Sequence, residues 1–397
     1  MTQEVSLPGA SPGMQRQLQI YLNGLAGEKP PFPIAMDALE TRAREVLRPE
    51  AAAYLFGGAG GEETIQANRE AFHRWRLVPR MLRGVGQREL GVELLGRRLP
   101  APVLLAPIGV QGILHPEGER AVARAAAAVG LPFVLSTVSS ESLEAVAEVM
   151  GDAPRWFQLY WARDPELTVS LIHRAEAAGY EALVVTLDTT LLAWREQDLA
   201  HAYLPFLQGE GLANYFSDPV FRSRLEEPPE ANPTAAILTF ARVFSNPDLT
   251  WDDLAFLKEN TRLPVLLKGI LHPDDARRAA EAGMDGVIVS NHGGRQVDGA
   301  IAALDALPMI VEAVGDQLPV LFDSGIRRAA DVLKAMALGA RAVLLGRPYA
   351  CGLAIGGEAG VRFVLENLLA ELDLALGLLG CRSWEEVDRT CLHRLDA

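Results

Sequence analysis

The segment Gly286-Val-Ile-Val-Ser-Asn-His-Gly-Gly-Arg-Gln296 is the most informative part of this chain. It starts as a continuous apolar run, which is typical of a parallel strand that is buried on both faces. It ends in an imidazole and a guanidinium, His292 and Arg295, separated by two glycines that let a ligand approach the backbone. The stretch therefore predicts a buried strand whose carboxyl end carries a base beside an anion-binding group.

Seven further apolar runs of this kind occur in the chain. The eight runs span residues 103–107, 133–137, 156–160, 182–188, 265–269, 286–292, 320–325 and 342–347. Alanine-rich amphipathic stretches separate most of them, and glycines that favour a left-handed helix end follow four of these stretches, at Gly130, Gly179, Gly283 and Gly339. Eight alternating β and α units predict a closed (β/α)8 TIM barrel with its site at the carboxyl ends of the strands. A doubly wound open sheet is the alternative.

Two regions lie outside this repeat. Residues 1–33 are rich in proline, glycine and glutamine and predict an N-terminal arm, whereas residues 34–397 predict a single domain that begins with a helical extension. A long insertion with several prolines follows the fourth run, and such insertions are either lids or disordered segments. Because aromatic residues are interleaved along it, the insertion predicts a lid over the barrel mouth, from about residue 196 to 250.

Composition limits the partners and the compartment. With 37 basic and 51 acidic residues the formal net charge is −14, which disfavours binding to nucleic acid or to an anionic membrane. The three cysteines show no metal-type or paired spacing, so we expect reduced thiols and no metal site. The sequence contains neither a signal peptide nor an apolar stretch of about 20 residues, and it predicts a cytoplasmic protein.

Polar side chains stand at the ends of nearly all of the apolar runs. Burying such a group costs a few kcal/mol unless it forms a hydrogen bond, so a set of them at one end of a barrel predicts a functional site. Any one member alone is as well explained by a bond to the backbone. The set comprises Ser136, Gln158, Tyr160, Thr186, Asp188, Lys268, Ser290, His292, Asp323, Arg327 and Arg347.

Four of the candidate residues suggest proton chemistry on an acid. His292 is predicted to act as a base, and Asp188 to orient its imidazole and stabilise the charged form. Arg195 and Arg295 are predicted to hold a carboxylate by bidentate contacts. The alternatives are that Asp188 caps a loop and that Arg195 pairs with acidic residues of the lid.

Three further cations follow the fifth, seventh and eighth runs. Arg327 and Arg347 lie close to Gly325 and Gly346, where TIM barrels commonly bind phosphate. Lys268 is either a nucleophile that forms a Schiff base or a fixed positive charge. The residue pattern leaves that choice open.

These motifs resemble the FMN-dependent α-hydroxy-acid dehydrogenase and oxidase family. The resemblance extends from about residue 34 to the C-terminus, and it implies FMN at the mouth of a (β/α)8 barrel and oxidation of a small 2-hydroxy acid. Its most specific segments are residues 157–160, 268–269, 290–296, 322–327, 345–348 and 380–382.

The resemblance also implies residue roles. His292 is the implied active-site base, with Asp188 as its partner, Tyr160 near the substrate hydroxyl, and Lys268 stabilising negative charge on the reduced flavin. Tyr54, Arg195, Arg295 and Tyr160 are the implied substrate-binding residues. The implied contacts to FMN come from Pro107, Ile108, Gly109, Ser136, Gln158, Thr186, Lys268, Ser290, Asp323, Gly325, Arg327, Gly346 and Arg347.

Within the family, residues 106–110, 204–221 and 268–278 are most similar to the lactate 2-monooxygenase branch. That similarity implies conversion of L-lactate and O2 to acetate, CO2 and water. Gly109 stands where many members carry alanine, and the missing methyl is expected to leave room for oxygen beside the flavin, while the lid retains pyruvate. Val138 stands where glycolate oxidase has tryptophan, which implies a larger side-chain pocket.

Several alternatives remain at this stage. They are a lactate oxidase that releases pyruvate and H2O2, a related 2-hydroxy-acid dehydrogenase, a barrel lyase in which Lys268 forms a Schiff base, and a catalytically idle flavin-binding scaffold. The sequence also leaves open whether the two electrons pass from the substrate to the flavin as a hydride or through a carbanion. The family resemblance implies a homotetramer or homo-octamer.

Overall fold

The eight apolar runs form eight parallel strands that close into a barrel. The structure, a computed structural model, describes residues 9–395. The barrel strands are β4 (Val103–Leu105), β5 (Phe133–Ser136), β6 (Arg155–Leu159), β7 (Leu183–Thr186), β8 (Val265–Ile270), β9 (Gly286–Val289), β10 (Val320–Phe322) and β11 (Ala342–Leu345). Outside the barrel lie β1 (Trp75–Leu77), β2 (Val92–Leu94), β3 (Arg97–Leu99) and β12 (Leu392–Arg394). Strands β4 to β11 follow one another around the barrel, and β11 pairs with β4 through Leu345 and Leu105. The (β/α)8 prediction is confirmed, and closure excludes the open sheet.

Helices connect and cover the barrel strands. They are α1 (Pro12–Leu25), α2 (Met36–Val46), α3 (Pro49–Phe56), α4 (Glu63–His73), α5 (Gly118–Val129), α6 (Leu143–Met150), α7 (Pro165–Ala177), α8 (Glu196–Ala200), α9 (Ala213–Phe216), α10 (Pro219–Ser223), α11 (Pro233–Phe244), α12 (Leu254–Asn260), α13 (Pro273–Glu281), α14 (Ala303–Val314), α15 (Ala329–Ala337) and α16 (Arg347–Leu379). Within residues 9–395, none of these helices is long and apolar enough to cross a membrane. Gly130 ends α5 at a φ of 70°, a left-handed conformation that glycine adopts without strain.

Both faces of the barrel strands are buried. One side chain from the middle of each strand packs in the barrel interior, and the alternate side chains pack against the surrounding helices. The interior set is Leu104, Val134, Trp156, Val184, Leu266, Ile288, Leu321 and Leu344. This double burial is the reason that the strands read as continuous apolar runs rather than as alternating ones.

Two small sheets were not predicted from the sequence. Strands β2 and β3 form a hairpin whose Leu94 and Leu99 join the interior cluster, and the hairpin therefore covers the amino-terminal end of the barrel. Its turn places Leu95 at a φ of 49°, a conformation that leucine rarely adopts. Strand β1 pairs with β12. Three-residue strands are too short to show a period in the sequence, which explains why both sheets were missed.

The N-terminal region contributes a docked helix. The arm predicted for residues 1–33 lies partly outside the described residues, which begin at residue 9. Helix α1 packs against α16, where the Gly13 amide donates to Asp373 over 3.0 Å and Arg16 pairs with Glu366 over 3.1 Å. A side chain at Gly13 would lie 2.6 Å from the carbonyl oxygen of Ala370, so only glycine permits this close approach. The domain boundary at residue 33/34 stays a prediction.

The insertion after β7, the fourth barrel strand, folds over the barrel mouth. Its short helices α8 to α11 are held by a buried group that we call the lid aromatic cluster: Phe206, Tyr215, Phe221, Phe240 and Phe244. The ring centroids of Tyr215 and Phe240 lie 4.8 Å apart, and those of Phe244 and the barrel residue Tyr160 lie 5.2 Å apart. Such aromatic contacts add to the apolar area that they bury. The predicted lid is therefore an ordered part of the fold.

Asn214 attaches this lid to the end of β5. Its fully buried amide donates to the carbonyl of Thr137 over 3.0 Å and to the hydroxyl of Ser139 over 2.9 Å. Its carbonyl accepts from the amide of Leu143 over 2.8 Å. One side chain thus satisfies several buried polar groups in the loop that carries Val138.

Replacing Asn214 with alanine is expected to lower the free energy of unfolding by about 3 kcal/mol, because the partners left behind are buried and unpaired. Urea denaturation of the purified holoprotein measures the change. Asn23, whose side chain accepts one hydrogen bond from Gln19 on α1, provides the matched control, and its replacement is expected to cost about 0.5 kcal/mol or less. Equal losses in the two variants would show that Asn214 does not secure the lid.

Candidate active site

A cavity opens at the carboxyl ends of the barrel strands, beneath the lid. Its wall brings together most of the predicted site residues from seven barrel strands and helix α3. Those that line it are Tyr54, Pro107, Ile108, Gly109, Tyr160, Arg195, Lys268, His292, Arg295, Asp323, Gly325, Arg327, Gly346 and Arg347. Asp188 and Ser290 stand behind this wall and hydrogen-bond to His292 and Asp323.

His292 and Asp188 form a largely buried pair, whose side chains are 17% and 13% exposed. The imidazole Nδ1 donates to Oδ1 of Asp188 over 2.8 Å, which leaves Nε2 as the basic nitrogen. His292 has a φ of 57°, a strained backbone conformation of the kind that clusters at functional sites, and its amide donates to the hydroxyl of Ser290. Burial opposes the charge on Asp188, but the cations His292 and Lys268 outweigh it and lower the pKa of the carboxyl to about 2.

Two neighbours of this pair were missed by the sequence analysis. The Thr189 hydroxyl lies 3.0 Å from Oδ1 of Asp188 and 3.2 Å from Nδ1 of His292, so it donates a second hydrogen bond to the carboxylate. At Gly269, with a φ of 107°, a Cβ would lie 2.8 Å from the Cβ of Asp188. Neither position carries a readable signal, since a threonine after a strand and a glycine after a lysine are common for many reasons.

The acid limb of the kcat/KM profile is expected below pH 6.5, the ordinary pKa of histidine. Burial lowers the pKa of His292, Asp188 partly opposes this, and Lys268 adds to it. A base with a lowered pKa stays neutral as the pH falls through 6.5, so activity is lost only at lower pH. The measurement is kcat/KM between about pH 4.5 and 9. An acid limb at or above 6.5 would contradict the assignment of burial as the main cause.

Tyr54, Arg195 and Arg295 lie side by side on one wall. The guanidinium of Arg295 stacks on the Tyr54 ring at 4.9 Å and donates to the main-chain oxygens of Tyr54 and Gly57. Arg195 donates from Nε to the main-chain oxygen of Arg295 over 3.1 Å. Burial, helped by the nearby charge of Arg195, lowers the pKa of Arg295 to about 10. The nearest carboxylate oxygen paired with Arg195 is 4.0 Å away, on Asp198. The alternative in which lid acids neutralise Arg195 is therefore weakly supported.

Lys268 lies at the bottom of the cavity and is 3% exposed. Its Nζ is 3.3 Å from Oδ2 of Asp323, which also accepts from the hydroxyl of Ser290. Burial opposes the ammonium charge, but Asp188 and Asp323 outweigh it and raise the pKa of Lys268. A Schiff-base nucleophile must be neutral. The geometry therefore favours Lys268 as a fixed positive charge.

Arg347 is a partly buried cation whose hydrogen bonds within the described residues go only to main-chain oxygens. It donates to Leu55 over 3.1 Å, to Gly293 over 3.0 Å, and more weakly to Phe56 and Gly57. Burial and the charge of Arg327 lower the pKa of Arg347 to about 9. Arg327, in contrast, pairs with Glu40 of α2. A partly buried, unneutralised guanidinium beside a helix N-terminus is suited to a phosphate.

Gln158 and Ser136 face each other at the ends of β5 and β6. The Ser136 hydroxyl donates to Oε1 of Gln158 over 3.0 Å, and the Thr137 amide donates to the same oxygen. Within residues 9–395, Nε2 of Gln158 is buried and has no hydrogen-bond partner. An orphaned donor of this kind indicates a ligand with an acceptor atom at this place.

Four predicted cofactor residues do not line this cavity: Ser136, Gln158, Thr186 and Ser290. Thr186 is the one of them that faces another cavity. It is in register with Lys268 but lines an adjoining cavity, which shares Tyr160, Thr189 and Phe244 with the first. Its contact with a flavin stays a prediction.

The comparisons with known proteins agree with this arrangement. A family model described as FMN-dependent dehydrogenase matches residues 43–394. The chain belongs to this family. It is 46% identical to an L-lactate oxidase of Lysinibacillus sphaericus over 366 residues, which are 92% of this chain and 94% of that enzyme. It is also 46% identical to the FMN-dependent alpha-hydroxy acid dehydrogenase qulF of Penicillium citrinum over 383 residues, 96% of this chain and 95% of that protein.

Solved structures show the same fold. A crystal structure of mandelate oxidase with (S)-4-hydroxymandelic acid superimposes with a TM-score of 0.81 at 42% identity, and the match covers 91% of this chain and 98% of that one. The family member described here is thus an FMN-dependent 2-hydroxy-acid oxidoreductase with a (β/α)8 barrel. The recognition of the family and of its cofactor from sequence motifs is confirmed.

The residues at the mouth fit FMN at both ends of the molecule. Arg347 and the adjoining start of α16 suit the phosphate, because the guanidinium lacks an anionic partner among the described residues and helix N-termini bind anions. Gln158 offers an unpaired donor, and Lys268 a buried positive charge, to the polar edge of the ring. These are the groups that would hold the cofactor in this FMN-dependent dehydrogenase.

Replacing Arg347 with methionine is expected to raise the dissociation constant of FMN by about a hundredfold, since charge-assisted contacts to phosphate are among the strong hydrogen bonds. The measurement is quenching of FMN fluorescence on titration into apoprotein. The matched control is Arg341→Met, because Arg341 lies on the amino-terminal side of β11 and is exposed. A variant that keeps normal FMN affinity would contradict the phosphate assignment.

Proposed function

We propose that this protein oxidises a short L-2-hydroxy acid, L-lactate in the first place, and releases the 2-oxo acid and H2O2. The observation that carries the proposal is the joining, in one cavity, of the His292–Asp188 pair with Arg195 and Arg295. In balanced form, L-lactate and O2 give pyruvate and H2O2. The L-lactate oxidases at 46% and 47% identity support this choice of substrate and acceptor.

The chain's own residues divide the reaction between them. Arg195, Arg295 and the Tyr54 side chain hold the substrate carboxylate, which fixes the 2-hydroxyl toward His292. Nε2 of His292 accepts the hydroxyl proton. FMN, when bound, would accept the hydrogen of the substrate carbon together with its two electrons, and this oxidises that carbon to the carbonyl.

The charged side chains of Asp188 and Lys268 stabilise the charges that develop during this reaction. The Asp188 carboxylate, held ionised, stabilises the imidazolium that forms on His292. Lys268 provides a preorganised positive charge where negative charge develops. The aromatic side chains Phe206 and Phe244 cover the cavity from the lid and exclude water.

The substrate side chain faces an apolar wall in this proposal. Val138 from the end of β5, together with Phe206 and Phe244 from the lid, supplies that wall. An aliphatic group such as the methyl of lactate is compatible with it. We propose that glycolate is a poorer substrate, because it leaves this wall without contact.

Lactate 2-monooxygenase is the second candidate, but one of its supports from sequence, the free space expected at Gly109, does not agree with the contacts of that residue. A Cβ at Gly109 would lie 2.6 Å from Cγ2 of Val138 and 2.8 Å from its carbonyl oxygen. The space left by the missing methyl is therefore taken by Val138 and is not open to oxygen. The ordered lid still favours product retention, and it is the observation that keeps the monooxygenase outcome as a candidate.

Product analysis distinguishes the two candidates. The yellow holoenzyme is supplied with L-lactate in air, with and without catalase, and pyruvate, H2O2 and acetate are quantified. Catalase matters because peroxide that has been released converts pyruvate to acetate in solution. Equal pyruvate and peroxide, with no acetate in the presence of catalase, supports the oxidase. Acetate that persists with catalase establishes the monooxygenase. Flavin bleaching under nitrogen without oxygen consumption in air would instead indicate a dehydrogenase.

The family resemblance also suggests an oligomeric state and a cellular compartment for this protein. We propose a cytoplasmic homotetramer or homo-octamer, on the basis of the family resemblance. Light scattering of the holoenzyme tests the assembly, and a monomer would contradict it.

A further inference from the structure

The side chain of Gln296 lies between Arg195 and the segment that contains Asp188. Its Oε1 accepts a hydrogen bond from Nη2 of Arg195 over 2.9 Å. Its Nε2 donates to the main-chain oxygens of Asp188, over 2.7 Å, and Leu191, over 3.0 Å. A single amide thus connects the arginine on the cavity wall with the segment that carries the partner of His292.

Within residues 9–395, the hydrogen-bond partners of Arg195 are neutral. Arg195 is 7% exposed, and its guanidinium is held by the main-chain oxygen of Arg295 and by the side-chain oxygen of Gln296. The carboxylate of Asp198, at 4.0 Å, is beyond hydrogen-bond distance. An arginine held in this way keeps its formal charge available for an anionic ligand. A carboxylate in the place of the Gln296 amide would neutralise that charge by direct pairing.

We propose that Gln296 is a positioning residue for substrate affinity: it fixes the guanidinium of Arg195 without neutralising it, so that the charge is directed to the carboxylate of the 2-hydroxy acid. This inference rests on the proposed role of Arg195 as carboxylate anchor. It adds that the chain uses a neutral amide at residue 296 to keep this anchor both oriented and charged.

The ligand charge provides the test. Pyruvate is an anion, and pyruvamide is its neutral amide of nearly the same shape. Neither carries a 2-hydroxyl group that can be oxidised, so each is titrated into the oxidised holoenzyme without turnover, and the change in flavin absorbance gives its dissociation constant. The variants are Gln296→Met, which removes all three hydrogen bonds, and Gln296→Glu, which keeps an acceptor for Arg195 and adds a negative charge. Gln197→Met is the matched control, because Gln197 lies on α8 and bonds to Glu62.

We expect the Gln296 variants to lose affinity for the anion pyruvate but not for the neutral pyruvamide. The dissociation constant of pyruvate rises about fivefold or more in Gln296→Met and about tenfold or more in Gln296→Glu, while that of pyruvamide changes by less than about threefold. KM for L-lactate rises in parallel, and kcat stays within about threefold. The control variant matches the unmodified protein for both ligands.

A purely structural role of Gln296 gives a different pattern. Pyruvate and pyruvamide would then weaken equally, and kcat would fall with KM; this pattern, or unchanged binding of pyruvate, overturns the inference. Arg195→Met separates this failure from failure of the proposed function. If it abolishes the preference for pyruvate while the Gln296 variants do not, only the role of Gln296 is wrong. If Arg195→Met leaves the preference intact, Arg195 is not the anchor and both assignments fall.

Discussion

Replacing His292 with alanine is expected to slow flavin reduction by L-lactate under nitrogen by about 10²- to 10⁴-fold, the usual contribution of a positioned general base. The basic Nε2 is the atom that accepts the hydroxyl proton, and its partner Asp188 is fixed on the other ring nitrogen. FMN is expected to remain bound, because the cations assigned to its phosphate and ring are unchanged. Stopped-flow absorbance of the anaerobic enzyme gives the rate.

The matched control is His173→Ala, at an exposed position of α7. It is expected to reduce flavin at the unmodified rate. Bleaching of the His292→Ala enzyme at full rate would remove His292 from the mechanism. Loss of FMN from that variant would show that the residue supports the cofactor rather than the proton transfer.

Replacing Lys268 with methionine is expected to slow flavin reduction by about 10²- to 10³-fold, because a preorganised charge at a site of developing negative charge contributes about 3 kcal/mol. The same loss corresponds to a fall of about 60 mV in the two-electron potential of the bound flavin. Lys268 is buried with Asp323 at 3.3 Å and stays protonated, so its charge is present throughout the pH range of activity. Spectroelectrochemistry measures the potential, and stopped-flow absorbance measures the rate.

Two further lysine variants serve as controls for the Lys268→Met result. Lys268→Arg keeps the charge and is expected to retain the potential within about 20 mV, although the bulkier guanidinium lowers the rate. Lys258→Met removes a half-exposed lysine that pairs with Asp285 on the surface and should change neither quantity. A Lys268→Met enzyme with an unaltered potential would contradict the electrostatic role. Trapping of a keto acid on Lys268 by borohydride would revive the lyase alternative.

The barrel could be predicted from the sequence because its signals are local. Each strand is a continuous apolar run, and Gly130, Gly283 and Gly339 follow helices at positive φ, as their place in the pattern indicated. The hairpin β2–β3 was missed for the opposite reason. Its strands are three residues long, and its function as a cover for the barrel end depends on Leu94 and Leu99 meeting the interior cluster, which no local period shows.

The sequence predicted which residues form the site, but it predicted only some of the contacts between them. His292, Arg295 and Lys268 stand in motifs that resemble those of a known family, and the cavity brings them together. The expectation for Gly109 was wrong because a missing methyl creates space only if no neighbour fills it, and Val138 does. Thr189 and Gly269 were missed because their importance lies in what they touch, namely the carboxylate of Asp188.

The eight-stranded barrel, the reactive residues at the strand ends and the family with its FMN cofactor could all be inferred from the amino-acid sequence alone. Each of these is recorded in the order of residues along the chain. The folded structure was needed to show that His292 contacts Asp188, 104 residues away in sequence, and that Gln296 links Arg195 to the segment of Asp188. It was also needed to show that the carboxylates of Asp188 and Asp323 favour the charged form of Lys268. The physical reason is that burial, and with it the strength of a charge or a hydrogen bond, arises from packing between distant segments.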